Sequence, residues 1–132
     1  MTLTAYTDGS YDKRTKQYGY GVYLVEPNIK LSGSGIDEYG AWNVTGEIEG
    51  VKEAIEYSIE HKYDKIIIHH DYIGLSKWAN NEWKTNKDIS INYKNFIKDK
   101  RQKIQIDFIK VKAHSNDTYN DIADSLAKGA IL

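Results

Sequence analysis

The chain has 132 residues, of which 40% are hydrophobic, a net charge of −1 and no cysteine. This length fits one domain spanning residues 1–132 with a single core, and the lack of cysteine excludes disulfides, thiolate metal sites and thiol nucleophiles. No apolar stretch approaches the roughly 20 residues of a membrane span, and no basic-then-apolar leader opens the chain. We therefore expect a cytoplasmic monomer that does not bind membranes.

The first third of the chain predicts three strands. Residues 2–7 alternate weakly between polar and apolar, and residues 18–25 form a second strand rich in tyrosine. The Pro27-Asn28 turn separates the second strand from a third at residues 29–37. Short strands joined by short loops favour an antiparallel meander.

The rest of the chain predicts alternating helices and strands. Helices are expected at residues 45–61, 72–80 and 89–102 and at the C-terminus around 119–127, and strands at 65–70 and 104–112. Helical spacing of Ile48, Val51 and Ile55 marks the buried side of the first helix, with Thr45 as its N-cap. This alternation implies right-handed parallel crossovers, and hence an α/β domain whose five-stranded mixed sheet is flanked by helices.

Four acids occupy comparable places along this pattern. Asp8 and Asp71 follow predicted strands, Glu47 opens the first helix, and Asp124 lies early in the last one. Taken singly, each would be a turn, cap or solvated residue. Together they can converge at one edge of the sheet, where their mutual repulsion would require divalent cations. Two cations about 4 Å apart form a phosphodiester-cleaving centre, so the pattern predicts metal-dependent cleavage of nucleic acid.

A basic segment covers residues 84–103, although the whole chain is slightly acidic. Helical spacing places Lys94, Lys98 and Arg101 on one face, beside the Trp83-Lys84 loop. Such a face either binds phosphates or is an ordinary solvated helix surface.

The sequence resembles ribonuclease H of type 1, in segments that occur in the family's order and span nearly the whole chain. The matching segments are Thr7-Asp8-Gly9-Ser10, Tyr18-Gly19-Tyr20-Gly21, Asn43 with Glu47-Ile48, Asp71-Tyr72, Trp83-Lys84-Thr85, Val111-Lys112-Ala113-His114 and Asn120-Asp121-Ile122-Ala123-Asp124-Ser125-Leu126-Ala127. The first and last segments are specific in combination.

The resemblance implies a ribonuclease H-like fold with sheet order 3-2-1-4-5. It implies an endonuclease that hydrolyses the RNA strand of RNA/DNA hybrids with two Mg²⁺ ions, for which Mn²⁺ can substitute, leaving 5′-phosphate and 3′-hydroxyl ends. Asp8 would bridge both metals, and Glu47, Asp71 and Asp124 would be the other ligands. Glu47 matches the family's glutamate better than Glu49 does. His114 would act in proton handling or product release.

The resemblance also implies a set of substrate contacts. Gly9 and Ser10 would contact the RNA strand, and Asn43 would lie in the minor groove. Glycine at position 9 would let the backbone approach a sugar-phosphate closely. For the DNA strand we expect contacts from Trp83, Lys84, Lys94, Lys98 and Arg101.

Three segments depart from the family pattern. Many members carry a Gly-Asn-Pro-Gly-like loop after the first strand, which is here Tyr11-Asp12-Lys13-Arg14-Thr15-Lys16. The usual Thr-Asn-Asn run is here Trp42-Asn43-Val44, and the basic handle helix is shortened to Asn80-Asn81-Glu82-Trp83-Lys84. These departures concern substrate grip and leave the four acids in place.

Two other functions are compatible with these features. One is a different nuclease on the same superfamily fold, acting on DNA or double-stranded RNA. The other is a non-catalytic module that binds hybrids or protein partners, which would usually lack one of the acids.

Overall fold

The computed structural model describes residues 1–112 and 118–131 and contains a five-stranded sheet flanked by four helices. In chain order the elements are β1 (Thr2–Asp12), β2 (Gln17–Leu24), β3 (Ile29–Ile36), α1 (Asn43–Glu60), β4 (Lys65–His70), α2 (Gly74–Ala79), α3 (Asp88–Lys100), β5 (Gln105–Lys110) and α4 (Thr118–Gly129). The strand order is β3-β2-β1-β4-β5, which confirms the predicted fold class and sheet order.

Strand direction divides the sheet into two parts. β1 to β3 form the predicted antiparallel meander, whereas β4 runs parallel to both β1 and β5. The parallel pairs are connected through helices, as right-handed crossovers require. The shared core consists of apolar side chains from the sheet, α1, α2 and α3, including Leu3, Ile55, Ile66, Leu75 and Ile97.

Glycines of β1 and β2 allow helices to approach both faces of the sheet closely. A Cβ on Gly9 would meet the first turn of α1, whereas a Cβ on Gly19 or Gly21 would stand 2.3 Å and 2.2 Å from backbone oxygens of α4. Residues without a Cβ are needed at such contacts. The centre of the sheet is thus packed between α1 on one face and α4 on the other.

The observed elements differ from the prediction in two places that matter for the site. β1 continues to Asp12, because its pairing with β2 runs on through Asp8↔Gly21 to Asp12↔Gln17, so Asp8 lies within a strand and not after one. The N-cap of α1 is Trp42, and the hydroxyl of Thr45 instead donates to Asp37 Oδ1 at 2.8 Å. Thr45 is therefore a buried part of the first turn of α1.

Among the residues that the structure describes, no helix is both long and apolar enough to cross a membrane.

Candidate active site

Three carboxylates meet at the edge of the sheet where β4 ends. Asp8 comes from β1, Glu47 from the second turn of α1, and Asp71 directly follows β4. One carboxylate oxygen from each lies within 4.8 Å of the others. Glu47 is only 2% exposed and Asp8 only 6%. Such a group would be strongly unfavourable if all three members were charged with no cation between them.

The parallel pairing of β1 with β4 explains why the two aspartates meet. The last paired residues are Tyr6 of β1 and His69 of β4. Asp8 lies two residues after Tyr6, and Asp71 lies two residues after His69, so the two aspartates reach the same edge of the sheet. Glu47 reaches the two aspartates from α1, because Gly9 has no side chain and lets this helix pack close to β1. The empty side of Gly9 faces the Asn43 carbonyl oxygen and the Glu47 backbone nitrogen. The site therefore depends on one strand pairing and one close helix–strand contact.

The environment raises the pKa of two of the three carboxyl groups. Burial, the charge of Asp71 and a hydrogen bond with Asp71, together with the charge of Asp8, raise the pKa of Glu47 to about 10. Burial and the charges of Asp71 and Asp124 raise the pKa of Asp8 to about 8, although the Gly9 N–H opposes this shift by donating to Asp8 Oδ1 at 2.9 Å. A divalent cation would reverse both shifts, because it favours the ionised form.

A second observation fits a cation at this site. Within the described part of the chain, Glu47 Oε2 is buried and has no hydrogen-bond partner. Buried polar atoms are normally satisfied by protein, water or an ion. Three carboxylate oxygens this close together match the ligand preference of Mg²⁺ and similar cations.

Asp124, the fourth predicted acid, stands next to Asp8 but outside the group of three. Its charge and a side-chain hydrogen bond both contribute to the raised pKa of Asp8. One helical turn later, Lys128 Nζ lies 3.0 Å from Asp124 Oδ2. Sequence reasoning missed Lys128, although its i,i+4 spacing from Asp124 was a usable signal.

The predicted site includes one histidine, His114, and another, His70, directly precedes Asp71. His114 falls in residues 113–117, which lie outside the described residues. His70 is fully buried next to Asp71, and its Nδ1 lies 2.9 Å from the Tyr72 carbonyl oxygen. Burial lowers the pKa of His70, which favours the neutral imidazole at the base of the site.

Of the predicted RNA contacts, Asn43 is the exposed one. It begins α1, and its backbone oxygen packs against Gly9. Ser10 donates its hydroxyl to the Ala127 carbonyl oxygen at 2.6 Å, which ties β1 to α4. Glycine at position 9 is explained by the close approach of α1, which fills the space on its Cβ side, and a contact of its backbone with a sugar-phosphate stays a prediction.

The predicted DNA contacts lie around the loop between α2 and α3. Trp83 is 40% exposed and packs edge-on against Trp78, and Lys84 and Lys98 are exposed. Lys94 reaches this loop, with Nζ 2.6 Å from Asn81 Oδ1. Residues 80–87 contain no helix, as expected for a shortened handle.

Arg101 differs from the other cations on the same helix face. Its guanidinium donates to the Ala79 carbonyl oxygen, to Asn80 Oδ1 and to the Ile106 carbonyl oxygen at 2.8–3.0 Å. Ile106 pairs with Ile66 near the start of β4, whereas Asp71 follows its end, so about 16 Å of strand separates Arg101 from the acids. Arg101 fastens α3 to α2 and β5, and a phosphate contact from it stays a prediction.

A carboxylate cluster at this position of a mixed sheet is the type of centre that metal-dependent phosphoryl-transfer enzymes use. A family model described as RNase H matches residues 1–131. A ribonuclease H of Wolbachia sp. subsp. Drosophila simulans is 30% identical over 139 aligned residues, which cover 98% of this chain and 95% of the relative. The chain therefore belongs to the ribonuclease H family of enzymes, which confirms the resemblance seen in the sequence.

Solved structures agree at the level of the fold. RNase H1 from the halophilic archaeon Halobacterium salinarum superposes with a TM-score of 0.83 at 19% identity, covering 98% of this chain and 97% of that one. LC11-RNase H1 in complex with RNA/DNA hybrid gives 0.76 at 14% identity, covering 98% and 99%. These similarities extend across the whole sheet and its helices.

Proposed function

We propose that this enzyme cleaves the RNA strand of RNA/DNA hybrids by hydrolysis. The observation that carries the proposal is the group of Asp8, Glu47 and Asp71, in which one buried Glu47 oxygen has no hydrogen-bond partner among the described residues. Family membership supports the reaction class, and LC11-RNase H1, which has the same fold, has been crystallised with an RNA/DNA hybrid.

We propose further that two Mg²⁺ ions bind here, held by Asp8, Glu47, Asp71 and Asp124, with Mn²⁺ as a substitute. When bound, the ions supply activation of the attacking water and charge stabilisation at the leaving 3′-oxygen. Asp8 is proposed as the ligand shared by both ions, because both Asp71 and Asp124 are close enough for their charges to raise its pKa. Rigid β1 and β4 backbones and the tightly packed start of α1 would hold these oxygens in place.

The remaining roles follow the polarity and exposure of the side chains. His114 would move a proton to or from the reacting groups. Asn43, together with Gly9 and Ser10, would lie along the RNA strand, because this end of α1 borders the acids. Trp83 and Lys84, with Lys94 and Lys98, would meet the DNA strand across the α2–α3 loop. Location in the cytoplasm and a monomeric state stay predictions.

The decisive experiment compares three duplexes of one sequence, namely RNA/DNA, RNA/RNA and DNA/DNA, with and without Mg²⁺. We expect the RNA strand of the hybrid to be cleaved only when Mg²⁺ is present, and the products to carry 5′-phosphate and 3′-hydroxyl ends. Cleavage of RNA/RNA or DNA/DNA at a comparable rate would assign the chain to another nuclease activity on this fold.

A matched control separates the enzyme from a contaminating nuclease. Glu49 lies two residues from Glu47 but is partly exposed beside Lys52, with 3.9 Å between the charged atoms. Glu47→Gln should abolish cleavage, whereas Glu49→Gln should retain it. Equal activity of both variants would refute the assignment of the site.

A further inference from the structure

Two aromatic side chains stack on the surface beside the acids, and neither is in the set of expected substrate contacts. Trp42 precedes α1 and is 62% exposed, and Tyr11 lies on β1. Their ring centroids are 6.3 Å apart and the ring planes differ by 23°. We call these two residues the aromatic platform. Tyrosine and tryptophan are enriched at interfaces, because each combines a large apolar ring with a polar atom.

The backbone of Trp42 has a conformation that suits glycine better than tryptophan. Its φ is +60° and its ψ is −126°. The buried carboxylate of Asp37 holds this conformation by accepting hydrogen bonds from the Trp42 N–H at 2.8 Å and the Thr45 hydroxyl at 2.8 Å. An unfavourable conformation that the surroundings stabilise motivates a functional hypothesis, and here its effect is to present an indole ring to solvent.

The position of the platform indicates which ligand it would meet. Trp42 lies five residues before Glu47, which is about 7.5 Å of helix rise. Tyr11 lies three residues after Asp8 in the same strand, which is about 10 Å. A nucleic-acid strand advances about 3.4 Å per nucleotide along the duplex axis, so a strand bound at the acids also comes within reach of the platform.

Charge around the platform is also suitable for a nucleic acid. Among the described residues, Tyr11 lines an open cleft together with Lys13, Arg14, Lys128 and Asp12, in which Arg14 is paired with Asp12 and Lys128 with Asp124. Because exposed ion pairs contribute little, these cations remain able to bind a phosphate backbone that passes from the acids to the cleft.

We propose that the aromatic platform binds the hybrid within a few nucleotides of the scissile phosphate, through the apolar faces of the sugars that a duplex exposes. This inference rests on the proposed function and adds a specificity-determining contact to it. Indole and phenol rings carry no charge, so the contact is independent of base identity and contributes nothing to phosphate neutralisation. Trp42 would thus contact the substrate through an aromatic ring, at a position where the family pattern has a threonine.

The test measures hybrid binding by fluorescence anisotropy with Mg²⁺ present, in the non-cleaving Asp8→Asn parent. Trp42→Gly removes the ring while easing the backbone, so the variant should fold at least as stably as the parent. Loss of an aromatic contact of this kind should raise Kd about fivefold or more. Trp42→Phe should stay within a few-fold of the parent, because it keeps an aromatic face.

The salt dependence of Kd and a double variant distinguish an apolar contact with the rings from a contact between charges. The slope of log Kd against log salt should be the same in the parent and in Trp42→Gly, because no phosphate contact is lost. Combining Trp42→Gly with Tyr11→Ala should cost less than the product of the two single effects, because the rings act together. Ile109→Ala, an exposed apolar truncation on β5, is the control and should leave Kd unchanged.

Each alternative outcome has a definite meaning. If Trp42→Gly binds within twofold of the parent, or reduces the salt slope, the platform does not bind the hybrid through its rings. If the parent binds hybrid and Trp42→Gly weakens that binding while the wild-type chain fails to cleave, the proposed reaction is wrong and the platform stands. If the parent binds no nucleic acid, both proposals are overturned.

Discussion

Gly9 and Glu47 are in contact through their backbones: a Cβ at position 9 would stand 2.5 Å from the Glu47 nitrogen and 2.3 Å from the Asn43 oxygen. Since neither backbone atom can move without shifting α1, this contact fixes the distance between β1 and the glutamate of the site. The position of one acid therefore depends on the absence of a methyl group on the strand that carries another.

Gly9→Ala should accordingly destabilise the fold and lower activity. Forcing extra volume into a packed contact typically costs about 1–3 kcal/mol, and two backbone clashes place this variant at the upper end. Gly129→Ala is the matched control, because no described residue lies within 4 Å of its Cβ position, and it should be neutral or slightly stabilising. Urea unfolding measures both. Equal stability of the two variants would contradict the close contact.

Asp8→Asn should abolish hydrolysis and leave the fold intact. An amide cannot supply the charge that we assign to the shared ligand. In metal-free buffer the variant should be as stable as the wild type or more stable, because one carboxylate is removed from a repelling group. Cleavage rates and thermal unfolding in EDTA test the two halves of this prediction. Near wild-type cleavage would show that the site is assigned wrongly.

The metal-free protein should lose stability as pH rises. The pKa of Glu47 is raised from 4.5 to about 10 and that of Asp8 from 3.8 to about 8, so the folded chain retains protons that the unfolded chain releases. The stabilisation is complete below about pH 4 and declines as pH rises through 8 towards 10. Urea unfolding in EDTA should give a lower free energy of unfolding at pH 8 than at pH 5.

Glu47→Gln provides the control for this pH dependence, because glutamine does not ionise. The decline between pH 5 and pH 8 should be shallower in that variant. A slope equal to that of the wild type would mean that other groups govern the effect. Adding Mg²⁺ at pH 8 should restore stability to the wild type, since a ligand of the folded state stabilises it.

Arg101 and the nearby lysines should separate into a structural and a binding class. Arg101→Gln removes three intraprotein hydrogen bonds and should cost about 1–2 kcal/mol of stability, with KM for hybrid largely unchanged. The double change Lys94→Gln and Lys98→Gln should instead raise KM and flatten its salt dependence. If Arg101→Gln alone changes the salt dependence of KM, Arg101 does contact phosphate.

His114→Ala should slow turnover without preventing metal binding. General acid–base groups contribute typically about 10²–10⁴-fold, and we assign His114 no ligand role. Single-turnover cleavage gives the rate, and calorimetric titration with Mg²⁺ gives the affinity. Loss of Mg²⁺ binding in this variant would contradict the assignment.

The sequence contained enough information to predict the sheet order and the meeting of three acids. The parallel β4 was evident from its run of isoleucines, and its pairing with β1 follows once the family order is accepted. The continuation of β1 through Gly9 and Ser10 could not be predicted, because these residue types are typical of turns and only pairing with β2 keeps them extended. The pairing is tertiary information that local patterns lack.

Helical spacing predicted a shared face for Lys94 and Arg101 but could not predict what that face meets. The face runs along the axis of α3, so its two ends lie at different distances from the acids, and the C-terminal end lies against α2 and β5. Trp42 was missed for a similar reason. Its exposure depends on a buried carboxylate at Asp37, and no local pattern indicates that contact.

The pairing of β1 with β4 joins residues far apart in the chain, such as Leu3 with Ile66. Closing so long a loop is slow, and we predict that the repelling carboxylates meet only after the transition state for folding. A cation bound at that point stabilises the native state more than the transition state. We therefore expect Mg²⁺ to slow unfolding while hardly changing the rate of folding, which would make the enzyme's persistence in the folded state a function of the free magnesium concentration.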